Sequence, residues 1–300
     1  MNVSIDNRAG GNAVALETTL LVHGVPADHG LDLARELSAL VREQGAEPAI
    51  VGIVSGNPVV GITDEELIAM LSEDDVPKVN LANVGLVLHR RRSGATTVSG
   101  TMALCAASGV RVFATGGIGG VHREYGTHLD ISADLMALTR YPVAVVTSGC
   151  KSVLDVMATR ESLETLGVPV VGFGTDRFPA FYLRESEALV DERFDRIDDL
   201  AQFVTAELDR SGRGIVIANP IPVEDAMDEA QWTRWLGTAQ DAVAEQGVTG
   251  RAITPALLST LHNISEGATL RANLALVRNN AVIAARLRTA MSRQEMANHE

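Results

Sequence analysis

Short apolar runs of strand length alternate with amphipathic stretches of helix length along nearly the whole chain, and few folds accommodate that rhythm. The runs cover residues 14–22, 48–54, 110–114, 142–147, 168–173 and 214–218. Helical spacing predicts helices over 31–44, 64–71, 95–107, 132–138, 152–166, 197–210, 225–245 and 268–289. Strands apolar on both faces, in βαβ succession, pack as a parallel sheet between helices. The expected fold class is therefore α/β: one three-layer α/β/α domain around a central, mostly parallel mixed sheet. That domain is expected over 14–290, with a disordered lead-in at 1–13 and a C-terminal tail at 291–300. Aromatics make up only 4% of the chain, so the core must be mainly Val, Leu, Ile and Ala. Several runs end in small, polar or glycine-rich segments, and ligands of open α/β sheets bind at the carboxyl ends of strands.

A net charge of −13 argues against a nucleic-acid partner, which needs a basic face. It leaves room for a phosphorylated small molecule, because backbone amides and one or two arginines hold a phosphate locally. No stretch approaches the roughly 18 apolar residues of a membrane span, so no membrane association is expected. The first residues lack the basic-then-apolar profile of a signal peptide. With Cys105 and Cys150 as the only cysteines, a disulfide framework has no support and the cytoplasm is the expected compartment.

Of 25 basic residues only Lys78 and Lys151 are lysines. In such a chain a surviving lysine draws attention, because guanidinium stays protonated and forms no imine. Lys151 follows an apolar run and reads as opening a helix. Desolvation and the helix N-terminus would both lower its pKa and favour a nucleophilic amine, although a snorkelling surface lysine fits the same context. Glu17 lies inside the apolar run 14–22 and is either a proton-donating carboxyl with a raised pKa or an outward residue of an edge strand. Asp130 and Asp134, four apart with Ser132 between them, suit Mn²⁺ or Mg²⁺ with water ligands. Equally, Asp130 could cap a helix with Asp134 solvated. Arg90-Arg-Arg-Ser-Gly-Ala-Thr-Thr97 is an anion grip or an exposed basic turn. Thr115-Gly-Gly-Ile-Gly-Gly120 fails the dinucleotide spacing at His122, leaving a phosphate approach or a tight turn. Ser148-Gly-Cys-Lys-Ser152 lacks the P-loop glycines, which excludes that motif. Asn273, Asn279 and Asn280 fall on a long C-terminal helix, where asparagine implies interior polar contacts or a partner.

These segments stand in a telling order: Ala15-Leu-Glu-Thr-Thr, Gly94-Ala-Thr-Thr-Val98, Phe113-Ala-Thr-Gly-Gly-Ile-Gly-Gly-Val-His-Arg123, Asp130-Ile-Ser-Ala-Asp-Leu135, Lys151-Ser-Val-Leu-Asp155, Ala218-Asn-Pro-Ile-Pro222 and Asn279-Asn-Ala281. Together they resemble the pseudouridine-5'-phosphate glycosidase family, which includes relatives associated with indigoidine clusters. The resemblance implies an enzyme that makes or breaks the C–C glycosidic bond between ribose 5-phosphate and uracil. It implies that Lys151 holds the ring-opened sugar as an imine while Glu17 shuttles protons. It also implies Mn²⁺ (or Mg²⁺) at Asp130, a substrate loop at Ser132, Ala133 and Asp134, a backbone contact at Val112, a polar contact from Asn273, and a homotrimer.

There are departures from the family pattern. Its substrate-binding lysine aligns at Arg92, its usual Ser after the acid is Thr18, and its proline-rich segment is replaced by Pro26-Ala-Asp-His-Gly30. An Arg-Arg-Asp-Leu segment is missing near 79–84. Kept sugar machinery with altered surroundings suits a second reading, a C-glycosynthase joining ribose 5-phosphate to another ring such as a maleimide-like, oxazine or polyketide acceptor. A noncatalytic ribose-phosphate binder and a phosphatase using Asp130 and Asp134 are the readings from other classes.

Overall fold

Strands that are apolar on both faces belong in the middle of a layered domain, and the computed structural model, which describes residues 4–123, 126, 129–246, 248 and 253–297, places them there. The main sheet has nine strands: β1 Asp6–Asn7, β2 Ala13–Glu17, β3 Glu47–Val54, β4 Asn57–Val60, β5 Val112–Ala114, β6 Ala144–Thr147, β7 Val170–Phe173, β8 Glu192–Phe194 and β9 Ile215–Ala218. Their spatial order is β1-β4-β3-β2-β5-β6-β9-β7-β8. Every neighbouring pair is parallel except β3–β4. That hairpin turns on Ser55-Gly56, both with positive φ (48° and 82°), as a two-residue primed turn requires.

One face is covered by the long helix Ala268–Ala297, which crosses β2, β5 and β6 between the helices Gly30–Glu43 and Ile197–Ser211. The other carries Val98–Ser108, packed on β2–β4 and on Ala133–Arg140. Val98–Ser108 is buried over its first eight residues, Ser99 and Thr101 included, so it is buried all round rather than along one stripe. The α/β/α layering expected from the sequence is the observed one. Among the described residues no helix is long and apolar enough to cross a membrane. Cys105 and Cys150 are buried and free.

Four differences from expectation have physical causes. The run 14–22 is not one strand: β2 stops at Glu17, and Thr18–His23 is helical. The Thr18 hydroxyl donates to the Val51 carbonyl at 2.9 Å and the Thr19 hydroxyl to Ala95 O at 3.0 Å, so tertiary bonds outweigh a local β-preference. Within the expected lead-in, Asp6–Asn7 pairs with β4 and Arg8 bonds Glu66. Past residue 290 the last helix continues to Ala297, because buried Arg288 reaches both Glu295 and the Gly11 carbonyl. The helix expected from 152 begins at Val156, where the Asp155 side chain accepts from Ala158 N at 2.9 Å.

Candidate active site

The carboxyl ends of β2, β5, β6 and β9 lie side by side, and one asparagine knits three of them. Buried Asn280 donates to the Thr115 carbonyl at 2.8 Å and to Ser148 Oγ at 3.1 Å, and accepts from Asn219 Nδ2 at 2.8 Å. Asn279 donates to Pro220 O. The asparagine motifs of β9 and the last helix are thus a polar clamp that holds the strand ends together.

Over these ends opens a cavity of about 440 Å³, and both lysines of the chain line it together with Glu17. Glu17, the last residue of β2, is 8% exposed and accepts from Thr115 Oγ1 at 2.5 Å. Burial raises its pKa, opposed by the charge of Lys151 and by the threonine bond. Lys78 lies in a short parallel pair, Lys78–Val79 with Ala95–Thr96. Burial lowers its pKa, Lys151 adds to that, and Glu17 opposes it. His23 also lines the cavity, its pKa lowered by burial and by Lys78.

Lys151 does not open a helix. Its amide donates to Ile118 O at 3.0 Å, its carbonyl accepts from Leu154 N at 2.9 Å, and the next helix starts five residues later. The helix N-terminus therefore plays no part in its chemistry; a tight turn aims it. Gly149, two residues before it, has φ 83°, and a Cβ there would run into the Pro179 carbonyl.

The other sequence candidates fall in three groups. Asn273 lines the cavity, and its buried Oδ1 has no hydrogen-bond partner among the described residues, a ready acceptor for a ligand. Arg92 and Val112 lie outside the cavity. Arg92 is exposed and donates to Asp75 Oδ2 at 2.9 Å and Asp75 O at 2.7 Å. Val112, the first residue of β5, is fully buried and paired with Val14 on β2 and Ala144 on β6, at the end of the strand away from the cavity. The cation that joins Lys151 in the cavity is Lys78, for which rarity was the only sequence signal.

Ser132, Ala133 and Asp134 form a helix start. Ser132 Oγ caps Asp134 N at 3.2 Å. Buried Asp134 accepts from Ser99 N at 2.9 Å and Gly119 N at 2.8 Å. The helix begins at Ala133, so Asp130 does not share a helical face with Asp134, and both oxygens of Asp134 are engaged. The two carboxylates therefore do not converge along one helix as their spacing suggests. Asp130 instead lies 3.6 Å from His122 Nε2 with its side chain 44% exposed. Among the described residues no group of three metal-ligating side chains occurs. Asp134→Ala strands two buried amides and is expected to cost about 3 kcal/mol in urea unfolding, at 1–3 kcal/mol for each lost acceptor. A change under about 1 kcal/mol would show that water replaces the carboxylate.

An open α/β sheet presenting a buried carboxyl and two amines in one cavity defines a lysine–carboxylate site, suited to amine addition at a carbonyl-like carbon. The comparisons narrow this class. The chain belongs to the indigoidine synthase A-like family, whose sequence model matches residues 2–290. It is 44% identical over 283 residues to the pseudouridine-5'-phosphate glycosidase of Symbiobacterium thermophilum, covering 93% of this chain and 92% of that one. Identity to the glycosidase of Alkaliphilus metalliredigens is 45% over 282 residues, with coverage of 93% and 92%. The crystal structure of the prealnumycin C-glycosynthase AlnA in complex with ribulose 5-phosphate matches with a TM-score of 0.89 at 35% identity, covering 95% of this chain and 93% of that one. An indigoidine synthase A-like protein of Thermotoga maritima matches with a TM-score of 0.88 at 34% identity and 98% coverage of each chain. The resemblance read from the motifs is borne out.

Proposed function

We propose that the protein is an enzyme that reversibly cleaves the C–C glycosidic bond of pseudouridine 5′-phosphate. The observation that carries this reading is the meeting of Lys151 and Glu17 in one cavity. Lys151 Nζ, as the neutral amine, displaces the ring oxygen at C1′ and opens the sugar, and the proton lost from the new N–C1′ amine goes to the departing O4′ to make it a hydroxyl. Its lone pair then forms the imine as the C1′–base bond breaks, and Glu17 delivers the proton taken up by the departing base carbon. Water releases ribose 5-phosphate from the lysine. Lys78 supplies a cation for the phosphorylated sugar, and Asn273 Oδ1 accepts from a ligand donor.

Asp130, partly exposed beside His122, fits Mn²⁺ or Mg²⁺ with mostly water ligands. The ion would contribute positive charge beside the substrate loop at Ser132 and Ala133. The family resemblance supports a homotrimer, and two free, buried cysteines are in keeping with the cytoplasm.

Borohydride reduction in the presence of ribose 5-phosphate tests the reading. The expected result is a covalent sugar adduct on the peptide carrying Lys151, with release of uracil from pseudouridine 5′-phosphate in a parallel assay. Absence of both would leave a noncatalytic binder. A second reading, a C-glycosynthase for another ring, is favoured by one observation. Pro26, the first residue of the segment that departs from the family, lines the cavity beside Val25. An adduct without uracil release, but with turnover of another acceptor, would select it.

A further inference from the structure

Beside the nucleophile stands a group that neither the motifs nor the proposed mechanism uses. Phe181 and Tyr182 are the central residues of a tight turn closed by hydrogen bonds between Ala180 and Leu183, at 3.1 and 3.3 Å. Phe181 has φ 63°, whereas Tyr182 is not among the positive-φ residues. That arrangement ordinarily takes glycine at the first position, and a phenylalanine there is a strained choice. Strain of this kind persists where the surroundings enforce it, and it collects at functional sites.

The surroundings do enforce it. Phe181 N donates to Ser148 O at 2.9 Å, tying the turn to the loop that carries Lys151. The ring lies against Gly117, where a Cβ would stand 2.6 Å from the ring and 3.4 Å from Lys151 N. Only glycine leaves room for the ring at that distance from the lysine backbone. Tyr182 meets Phe181 edge-on at 4.7 Å and Trp232 at 5.2 Å. In a chain with two Trp, three Tyr and six Phe, three of them form this one ladder. The ladder is buried, and its Phe181 and Tyr182 end lines the cavity with Lys151 and Glu17.

We infer that Phe181 is a specificity-determining residue: its ring, held by a strained turn and admitted by Gly117, is the wall against which the planar base or acceptor ring lies beside Lys151. The ligand class it selects is a flat, unsaturated ring of about the size of uracil, since an aromatic face rewards stacking and is indifferent to the sugar. This inference rests on the proposed function.

The test uses the full-length protein carrying Lys151→Ala, which stops turnover, and compares the calorimetric Kd of pseudouridine 5′-phosphate with that of ribose 5-phosphate. Adding Phe181→Leu is expected to weaken pseudouridine 5′-phosphate about ten-fold, the scale of losing one base–aromatic stack, and to leave ribose 5-phosphate unchanged. Phe181→Gly, which suits the turn and relieves its backbone, is expected to give the same split. Equal weakening of both ligands, or of neither, overturns the inference, as does a Lys151→Ala protein that binds pseudouridine 5′-phosphate no more tightly than ribose 5-phosphate. The borohydride adduct on the otherwise unchanged enzyme reports on the proposed function separately, so the two failures are distinguishable.

Discussion

Lys151→Ala is expected to lower kcat for pseudouridine 5′-phosphate cleavage by about 10⁴-fold or more, the scale of losing a covalent nucleophile. Substrate binding should survive, because Lys78, Asn273 and the cavity walls remain. The stricter variant is Lys151→Arg. This chain uses arginine for every other cation except Lys78, so a surface role would tolerate arginine here as it does elsewhere. An arginine keeps the charge but forms no imine. Lys151→Arg should therefore be as inactive as Lys151→Ala, and both should fail to trap ribose 5-phosphate with borohydride. More than about one-hundredth of wild-type kcat in the arginine variant, about 2.7 kcal/mol of barrier at most, would reject imine chemistry. A trapped adduct that persists and maps to Lys78 would move the nucleophile to the other lysine of the cavity.

The layered fold was legible because its signal is repetitive: six apolar runs each have a strand beneath them, and strands such as β5, β6 and β9 are fully buried, as their composition demands. Glu17 and Lys151 were legible for a related reason. A carboxyl in an apolar run and a lysine in an arginine-rich chain are local anomalies that need no knowledge of the partner. What escaped depends on contacts between distant segments. Asp134 reads as a ligand by spacing, yet its oxygens are spent on Ser99 and Gly119. Arg92 lies in a plausible basic turn, yet Asp75 holds it outside the cavity while Lys78 enters. Thr18 belongs to a β-like run, yet Val51 and Thr96 draw it into a helix start. Phe181 carried no sequence signal, because its meaning lies in one dihedral angle and in the glycine opposite.

Glu17→Gln is expected to lower kcat by about 10²–10⁴-fold, the contribution of a positioned general acid or base, while raising stability. Both effects follow from the same burial. With its pKa raised above the ordinary value of 4.5, Glu17 keeps its proton into a range where a solvated carboxyl has lost it. Cleavage in the wild type should fall as pH climbs through that raised value, and this limb should vanish in the glutamine variant, which has no proton to lose. For stability the sign is opposite to that of a salt-bridged carboxylate. In the unfolded chain the group ionises near 4.5, whereas in the folded chain it ionises higher, so between the two values the native state binds more protons. Stability from this group therefore declines as pH rises above about 4.5, and levels off once the folded value is passed. Glutamine keeps an oxygen to accept from Thr115 and bears no such penalty. The variant's Tm should match the wild type below pH 4.5, exceed it increasingly as pH rises toward the folded value, and keep a constant lead beyond it. A glutamine variant less stable than the wild type at pH 8 would mean that Glu17 is ionised and held by Lys151. The proton would then start on the lysine, and the acid and the nucleophile would exchange their opening roles.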